Sequence, residues 1–142
     1  MSDVNDRNET EIAKMKSIIA NKGDGPVLML NLNLYTDKAD FPNGDLYQRY
    51  MTILENFLPA VGACVLWRQP VLGQPTGAQK IHEVLAAWYP SHQAFIDLPT
   101  APGAEENFSL RAMAVAEAVI HRCPANSYPF TREILPTETR TS

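Results

Sequence analysis

The middle of the chain constrains the fold most, because two strand-like segments are joined there by a short turn-forming loop. The segments span 63–71 and 80–89, and a loop rich in Gly and Pro lies at 73–77. Helical patterns precede the first segment and follow the second. An antiparallel pair placed between two helices is typical of the split βαβ arrangement.

A further strand is predicted at 27–35, which reads VLMLNLNLY and has two unlike faces. Every second position from 28 to 34 is leucine. The alternate face is mixed and carries Val27, Met29, Asn31, Asn33 and Tyr35. We expect the leucine face to cover the helices and the mixed face to meet water, a partner or a ligand.

Three helical regions are indicated by apolar spacing. The first follows Asn8, which has Glu11 at capping-box distance, and it ends at 22–26. The second begins near 45 and ends at Pro59. The third begins after Ser91, is interrupted at 99–103 and resumes over 104–121. Residues 1–7 are expected to be loose.

A final strand is predicted at 127–135. The predicted fold class is therefore α+β, a ferredoxin-like βαββαβ unit with a four-stranded antiparallel sheet. Residues 1–25 would form an N-terminal extension with a short helix, 26–135 the domain, and 136–142 a mobile tail. Two helices on one sheet face leave the other uncovered, so we expect a second copy to cover it and form a dimeric α/β barrel.

Composition excludes several classes of function. The 142 residues carry a net charge of −4, which does not favour binding to a nucleic-acid backbone. No apolar run approaches the roughly 18 residues of a membrane span. The N-terminus lacks the basic and apolar regions of a signal peptide, and two cysteines are not a disulfide framework. We expect a cytoplasmic protein that binds neither nucleic acid nor membrane.

Several short motifs, in order, resemble the dimeric α/β-barrel superfamily, and more narrowly the group called domain of unknown function thirteen-thirty. Between residues 26 and 135 these are PVLMLNL with Asn31, Tyr47-x-x-Tyr50, Gly62-Ala63 leading to Arg68, Tyr89-Pro90-Ser91, and Arg111 in the last helix. The break at 99–103 and the N-terminal helix depart from that pattern.

The resemblance implies the fold and a homodimer but no particular reaction, because the superfamily contains oxygenases, isomerases and sensors. One hypothesis is a cofactor-independent enzyme acting on a small aromatic or carboxylate compound. The alternative is a non-catalytic homodimer that binds or senses a small molecule. Nucleotide-loop, metal-ligand and serine-hydrolase motifs are absent from the sequence, so no cofactor or metal is predicted.

Five polar or aromatic residues within apolar elements are candidate ligand-binding residues. They are Asn31, Tyr47, Arg68, Trp88 and Arg111. A buried amide needs a partner, and a guanidinium can hold a carboxylate with two hydrogen bonds. The structural alternatives are packing for the tyrosine, solvent for Arg68, and an ion pair of Arg111 with Glu55, Glu83 or Glu117.

Two residues are weak candidates for catalysis. His82 shares strand parity with Trp88, and histidine is a plausible general base near neutral pH. Tyr50 could donate a proton or a hydrogen bond from the cavity rim. Each also has a structural interpretation, because a histidine at a strand start is usually solvated and a helical tyrosine usually packs in a core. His92 is expected to be exposed.

Overall fold

Four strands form one antiparallel sheet in this computed structural model, which describes residues 3–125. They are β1 (Val27–Tyr35), β2 (Cys64–Pro70), β3 (Glu83–Tyr89) and β4 (Val115–Pro124), in the spatial order β2-β3-β1-β4. With a helical crossover after β1 and another after β3, this is the ferredoxin-like βαββαβ topology. The predicted fold class is confirmed.

Four α-helices accompany the sheet. They are α1 (Glu9–Ala20), α2 (Asp45–Phe57), α3 (His92–Ile96) and α4 (Ala104–Ala114). Short 3₁₀ turns follow α2 and α3 at Leu58–Val61 and Leu98–Thr100. Each of these 3₁₀ segments has a proline near its start, and proline lacks the backbone N–H that an α-helix would need there. The interruption predicted at 99–103 is thus present.

The predicted helix starts agree with the structure at two caps. The Asn8 side chain accepts a hydrogen bond from the Glu11 backbone N–H at the start of α1. The Ser91 hydroxyl accepts one from Ala94 at the start of α3, at 3.1 Å. Both bonds satisfy donors that a helix N-terminus leaves unpaired. These caps fix the direction in which each helix leaves the preceding loop.

The two faces of β1 are used in the opposite way from the prediction. Val27, Met29, Asn33 and Tyr35 are buried against the helices, whereas the four leucines are only half-buried. The leucines align with Val84, Ala86 and Trp88 of β3 and with Val119 of β4, and we call this surface the open face. Within residues 3–125, no open-face residue belongs to the hydrophobic core cluster.

Hydrogen bonds among its polar groups offset part of the cost of burying the mixed face. The Tyr35 hydroxyl donates to Glu83 and accepts from the Asn33 amide, and all three residues lie beneath the helices. Buried polar groups that are paired avoid most of the desolvation cost. The sheet can therefore place its most apolar surface away from its own helices.

The end of the chain also differs from the prediction. The last helix stops at Ala114 and continues directly into β4 at Val115, where a helix to residue 121 was predicted. β4 pairs with β1 along its length, so the sheet is completed upstream of the predicted strand. The predicted strand at 127–135 and the tail from 136 lie outside the described residues.

The N-terminal segment is bonded to the domain rather than loose. Within 3–7, Asn5 donates to the Phe108 carbonyl at 2.9 Å, and Arg7 donates to the Phe95 carbonyl at 2.7 Å. Helix α1 buries Met15 and packs beside α3. No helix within residues 3–125 has the length and apolar character needed to cross a bilayer.

Candidate functional site

A cavity of about 90 Å³ lies between the helix-covered sheet face, helices α2 and α4, and the N-terminal segment. Its walls are largely apolar, with Leu54, Phe57, Leu85 and Phe108 among them. The polar groups in the wall come from all of these elements. They are Asn5, Asp6, Arg7, Asn31, Asn33, Tyr50, Tyr89, Asn107 and Arg111. A few polar groups in an apolar pocket are typical of small-molecule sites.

Two guanidinium groups contribute positive charge to this wall. Arg111 donates to the Val4 carbonyl and to Asn5 Oδ1, the latter at 2.9 Å, which ties α4 to the N-terminal segment. Arg7 lies 4.3 Å above the Phe95 ring, and burial lowers the pKa of its guanidinium. Within the described chain, neither arginine forms a salt bridge with a carboxylate. Both remain charged, since arginine is not deprotonated in proteins.

Two asparagines that line the cavity carry buried amide oxygens without a partner in the described chain. Asn33 is 4% exposed and Asn107 is 2% exposed. The Oδ1 atom of each has no hydrogen-bond partner among the described residues. An unpaired buried amide oxygen costs about 1–3 kcal/mol. Both residues line the cavity, although each of these oxygens is itself covered by protein atoms.

The cavity tyrosines remain donors. Burial raises the pKa of the Tyr50 phenol, and the neighbouring Arg111 offsets this only in part. Burial likewise raises the pKa of Tyr89. A phenol with a raised pKa stays protonated at neutral pH. These hydroxyls can therefore donate to a ligand oxygen but cannot act as bases.

A buried carboxylate lies beside the cavity. Glu83 is 2% exposed and accepts hydrogen bonds of 2.5 Å from both Tyr35 and Tyr47. Arg68 donates to the Tyr47 hydroxyl at 3.0 Å and lies 3.5 Å from Glu83. Burial and the bonds to Glu83 raise the pKa of Tyr47. We call Asn33, Tyr35, Glu83, Tyr47 and Arg68 the Glu83 network.

His82 lies at the end of this network and outside the cavity lining. Its Nδ1 accepts the Tyr35 backbone N–H at 2.9 Å, and its ring stacks on Tyr35 and Phe41. Because Nδ1 uses its lone pair in this bond, a neutral His82 carries its proton on Nε2. That arrangement does not favour the predicted role as a general base.

The predicted ligand-binding residues separate into three groups. Asn31 and Arg111 line the cavity, together with the catalytic candidate Tyr50. Tyr47 and Arg68 belong to the Glu83 network beside it. Trp88 lies on the open face, where it pairs with Leu28, and the structure does not bring it together with the cavity residues. The cause is the reversed use of the two sheet faces.

Two structural expectations are also corrected. Arg111 bonds to the N-terminal segment, whereas Glu55 and Glu83 pair with Arg68. His92 is buried, and its ring Nδ1 lies 3.0 Å from Asp24.

Several cavity residues were not identified from the sequence. Asn107 lies at helical spacing from the buried residues Ala104 and Leu110, so a polar residue in this stripe was a detectable signal. Arg7 has no such signal, because the segment before α1 has no periodic pattern. Within residues 3–125, no group of three His, Cys, Asp or Glu side chains could hold a metal ion.

A larger cleft adjoins the cavity. It measures about 590 Å³ and is bounded by α1, β4 and the N-terminal segment. Arg7, Phe95, Arg111 and Ile120 line both spaces. The two guanidinium groups therefore lie where the cavity and the cleft meet, together with Asp6.

Comparison with known proteins gives structures but no named activity. No protein-family model matches the chain. No curated protein matches it either. A crystal structure of a protein of unknown function from Rhodopseudomonas palustris is 23% identical, with a TM-score of 0.69, and the match covers 89% of this chain and 100% of that one.

A more distant structure carries a description of its fold and assembly. It is a dimeric ferredoxin-like protein of unknown function from Thermobifida fusca, 16% identical with a TM-score of 0.50, and the match covers 71% of this chain and 92% of that one. At these identities the likeness concerns the fold alone. This chain is thus similar to ferredoxin-like proteins of unknown function.

Proposed function

We propose that this protein binds a small organic acid in the cavity and acts as a homodimeric binding or sensing protein. The observation that carries the proposal is the charge of the wall. Arg7 and Arg111 are partly desolvated there without a carboxylate partner in the described chain. Arginine is seldom placed in this way without an anion. Asp6 also lines the cavity, but it is exposed and forms no salt bridge within the described chain.

The remaining polar groups favour an acid that also carries a hydroxyl or amino group. The Tyr50 and Tyr89 hydroxyls and the arginines can donate to carboxylate oxygens. The half-exposed Asn31 side chain lines the cavity and offers an amide oxygen to a donor on the ligand. A ligand with an anionic end and a donor end would satisfy both sets.

The cavity size favours a short ligand. Its volume of about 90 Å³ is smaller than the roughly 150 Å³ of an engineered cavity that holds benzene. Of the predicted compound classes, a short aliphatic carboxylate therefore fits better than an aromatic compound.

Binding is favoured over catalysis by the state of the titratable groups. The cavity phenols stay protonated, and His82 lies outside the lining with its Nδ1 already bonded. Cys64 lies on β2, where it pairs with Trp88 of the open face. No described nucleophile therefore has a base beside it in the cavity.

The homodimer is supported by the open face. Four leucines, Val84, Trp88 and Val119 make this face largely apolar, with the exposed His121 and Glu117 along its β4 edge, and Val119 is 42% exposed. Contiguous apolar surface of this kind marks an interaction site. The similar fold from Thermobifida fusca is described as dimeric. A second copy of this chain would present the same apolar surface in return.

The binding proposal is tested by calorimetry with short carboxylates and their methyl esters. Lactate, glycolate and 3-hydroxybutyrate are suitable probes. We expect the acids to bind and raise the melting temperature, and the uncharged esters to have no effect. No binding by any of the acids would contradict the proposal.

Two variants test whether a bound acid occupies this cavity. Arg111→Met should weaken acid binding by about 10-fold to 100-fold, since hydrogen bonds to charged groups are the strong ones. Tyr50→Phe removes one hydroxyl and should weaken it about tenfold. Arg49→Met is the matched control, because Arg49 lies exposed on α2. Turnover of a bound acid, followed by NMR, would replace the binding assignment with catalysis.

A further inference from the structure

One side-chain amide, that of Asn5, joins the N-terminal segment to helix α4 at two points. Its Nδ2 donates to the Phe108 carbonyl and its Oδ1 accepts from Nη1 of Arg111, each at 2.9 Å. A carbonyl oxygen only accepts and a guanidinium only donates, so both bonds require this one orientation of the amide. Asn5 therefore fixes the Arg111 side chain against the backbone of its own helix.

Within the described chain, the groups that hold the Arg111 guanidinium are neutral. Besides Asn5, its Nη1 donates to the Val4 carbonyl, so both Nη1 protons are used. The carboxylate next along the chain, Asp6, instead accepts the Asp3 backbone N–H at 3.1 Å. Because neither acceptor at Nη1 is charged, these two bonds hold the guanidinium in place without cancelling its charge.

We propose that Asn5 is a positioning residue of the acid-binding site, which fixes the Arg111 guanidinium in the cavity wall and leaves its charge to the ligand. This inference rests on the proposed function, since it concerns the same cavity. It makes the N-terminal segment a working part of the site. It also separates two properties of Arg111, its orientation and its charge, which different substitutions of Asn5 should remove.

Asn5→Ala removes the orientation and keeps the charge. It should weaken lactate binding about threefold to tenfold, because the ligand must then order the arginine side chain itself. A double-mutant cycle shows whether this loss acts through Arg111. In the Arg111→Met background, Asn5→Ala should cause no further loss of affinity. An equal loss in both backgrounds would mean that Asn5 only anchors the N-terminal segment, and would overturn the inference.

Asn5→Asp keeps an acceptor beside Arg111 but adds a countercharge. It should weaken lactate binding about tenfold to 100-fold, as Arg111→Met does, because an ion pair would occupy the guanidinium. Asn21→Asp is the matched control, since Asn21 is exposed at the opposite end of α1 from Asn5 and receives the same charge. It should leave the affinity unchanged. Natural affinity in Asn5→Asp, or an equal loss in Asn21→Asp, would overturn the inference.

NMR of the Arg111 side chain in the full chain tests the orientation without any ligand. In the natural protein, the Nη protons should give separate resonances, because the bonds to the N-terminal segment hinder rotation of the guanidinium. Asn5→Ala should merge these resonances, whereas Asn5→Asp should keep them separate. Arg111→Lys assigns the signals by removing them. Resonances that stay separate in Asn5→Ala would overturn the positioning role.

The two proposals fail differently. If no carboxylate binds the natural protein, the proposed function and the role of Asn5 fall together. If lactate binds but neither substitution of Asn5 changes its affinity, only the present inference is wrong. Should Asn5→Ala not fold, Asn5→Asp decides, because it retains an acceptor for Arg111 and its predicted loss depends on charge alone.

Discussion

Asn5 and Asn107 line the same cavity but differ in how their side-chain amides are bonded. Asn5 donates to the Phe108 carbonyl and accepts from Arg111, each at 2.9 Å. Asn107 has an Oδ1 without a partner in the described chain. The same chemical change at the two positions should therefore have opposite effects on stability.

We expect Asn107→Leu to stabilise the unliganded protein by about 1–2 kcal/mol and to weaken lactate binding. The substitution replaces an unpaired buried amide with an apolar group of similar shape, which can be neutral or favourable. Asn5→Leu should destabilise the protein by about 1–3 kcal/mol, because it leaves partners unpaired. Urea denaturation measures both changes. Destabilisation by Asn107→Leu to the same extent would show that its amide is a structural group.

At the residue scale, the sequence identifies candidate side chains that lie within helices and strands with a periodic apolar pattern. Tyr50 and Arg111 were identified because they interrupt apolar helical stripes, and both line the cavity. Arg7 and Asn5 could not be identified, since hydrogen bonds from distant α3 and α4 place them. Such contacts leave no local pattern in the sequence.

At the scale of elements, the start of β4 is the clearest difference between the prediction and the structure. The helical pattern of α4 runs into VAEAVIHRCP with no Gly or Pro between them, so nothing local marks Ala114 as the end. The chain changes from helix to strand because β4 pairs with β1, from Val27 with Pro124 to Tyr35 with Val115. Tertiary pairing overrides helical propensity here.

The reversed faces of β1 have a similar cause. Hydropathy alone predicts that the row of leucines on β1 packs against the helices. The hydrogen bonds among Asn33, Tyr35 and Glu83 reverse this assignment, and the bond from Tyr35 to Glu83 joins positions 48 residues apart. A single strand pattern does not contain that information.

Asp24 anchors α3 from outside the helix, and this anchor can be tested. Its carboxylate accepts the backbone N–H groups of His92 at 2.6 Å and Gln93 at 3.2 Å. Burial alone would raise the pKa of Asp24, but the hydrogen bonds from His92, Gln93 and Gly25 lower it below its usual value.

We expect Asp24→Ala to destabilise the protein by about 1–2 kcal/mol at neutral pH, the usual cost of losing a cap. Because the pKa of Asp24 is lowered in the folded state, its charged carboxylate stabilises the fold at pH values above the unfolded-state pKa of about 4. This stabilisation is lost as the pH falls through the folded-state pKa. The difference in the free energy of unfolding between the natural protein and Asp24→Ala should therefore become smaller as the pH falls from about 7 to about 3. Urea denaturation at several pH values measures it.

Asp37→Ala is the control, since Asp37 is exposed in the loop before α2. It should show no comparable change with pH. A difference for Asp24→Ala that is constant across the range would mean that the carboxylate charge has no part in holding α3.

At the scale of the whole molecule, burial is unevenly distributed over the sheet. The helix-covered face contains the polar Glu83 network and the cavity, whereas the open face holds the leucine row. A protein that leaves its more apolar sheet face uncovered has a strong tendency to associate, because apolar burial contributes about 25 cal/mol per Å². In the proposed dimer, association through this face would complete the fold.

We expect Leu32→Asp to convert the dimer to a monomer. Leu32 pairs with Val84 and Val119 on the open face, so an aspartate there would bury an uncompensated charge in the proposed interface, at a cost of several kcal/mol. Leu72→Asp is the matched control, because Leu72 is 96% exposed in the loop after β2. Sedimentation equilibrium measures the mass of both variants. The melting temperature of the natural protein should rise with protein concentration, and that of Leu32→Asp should not. A natural protein that sediments as a monomer at micromolar concentration would contradict the dimer and leave the leucine row without a role.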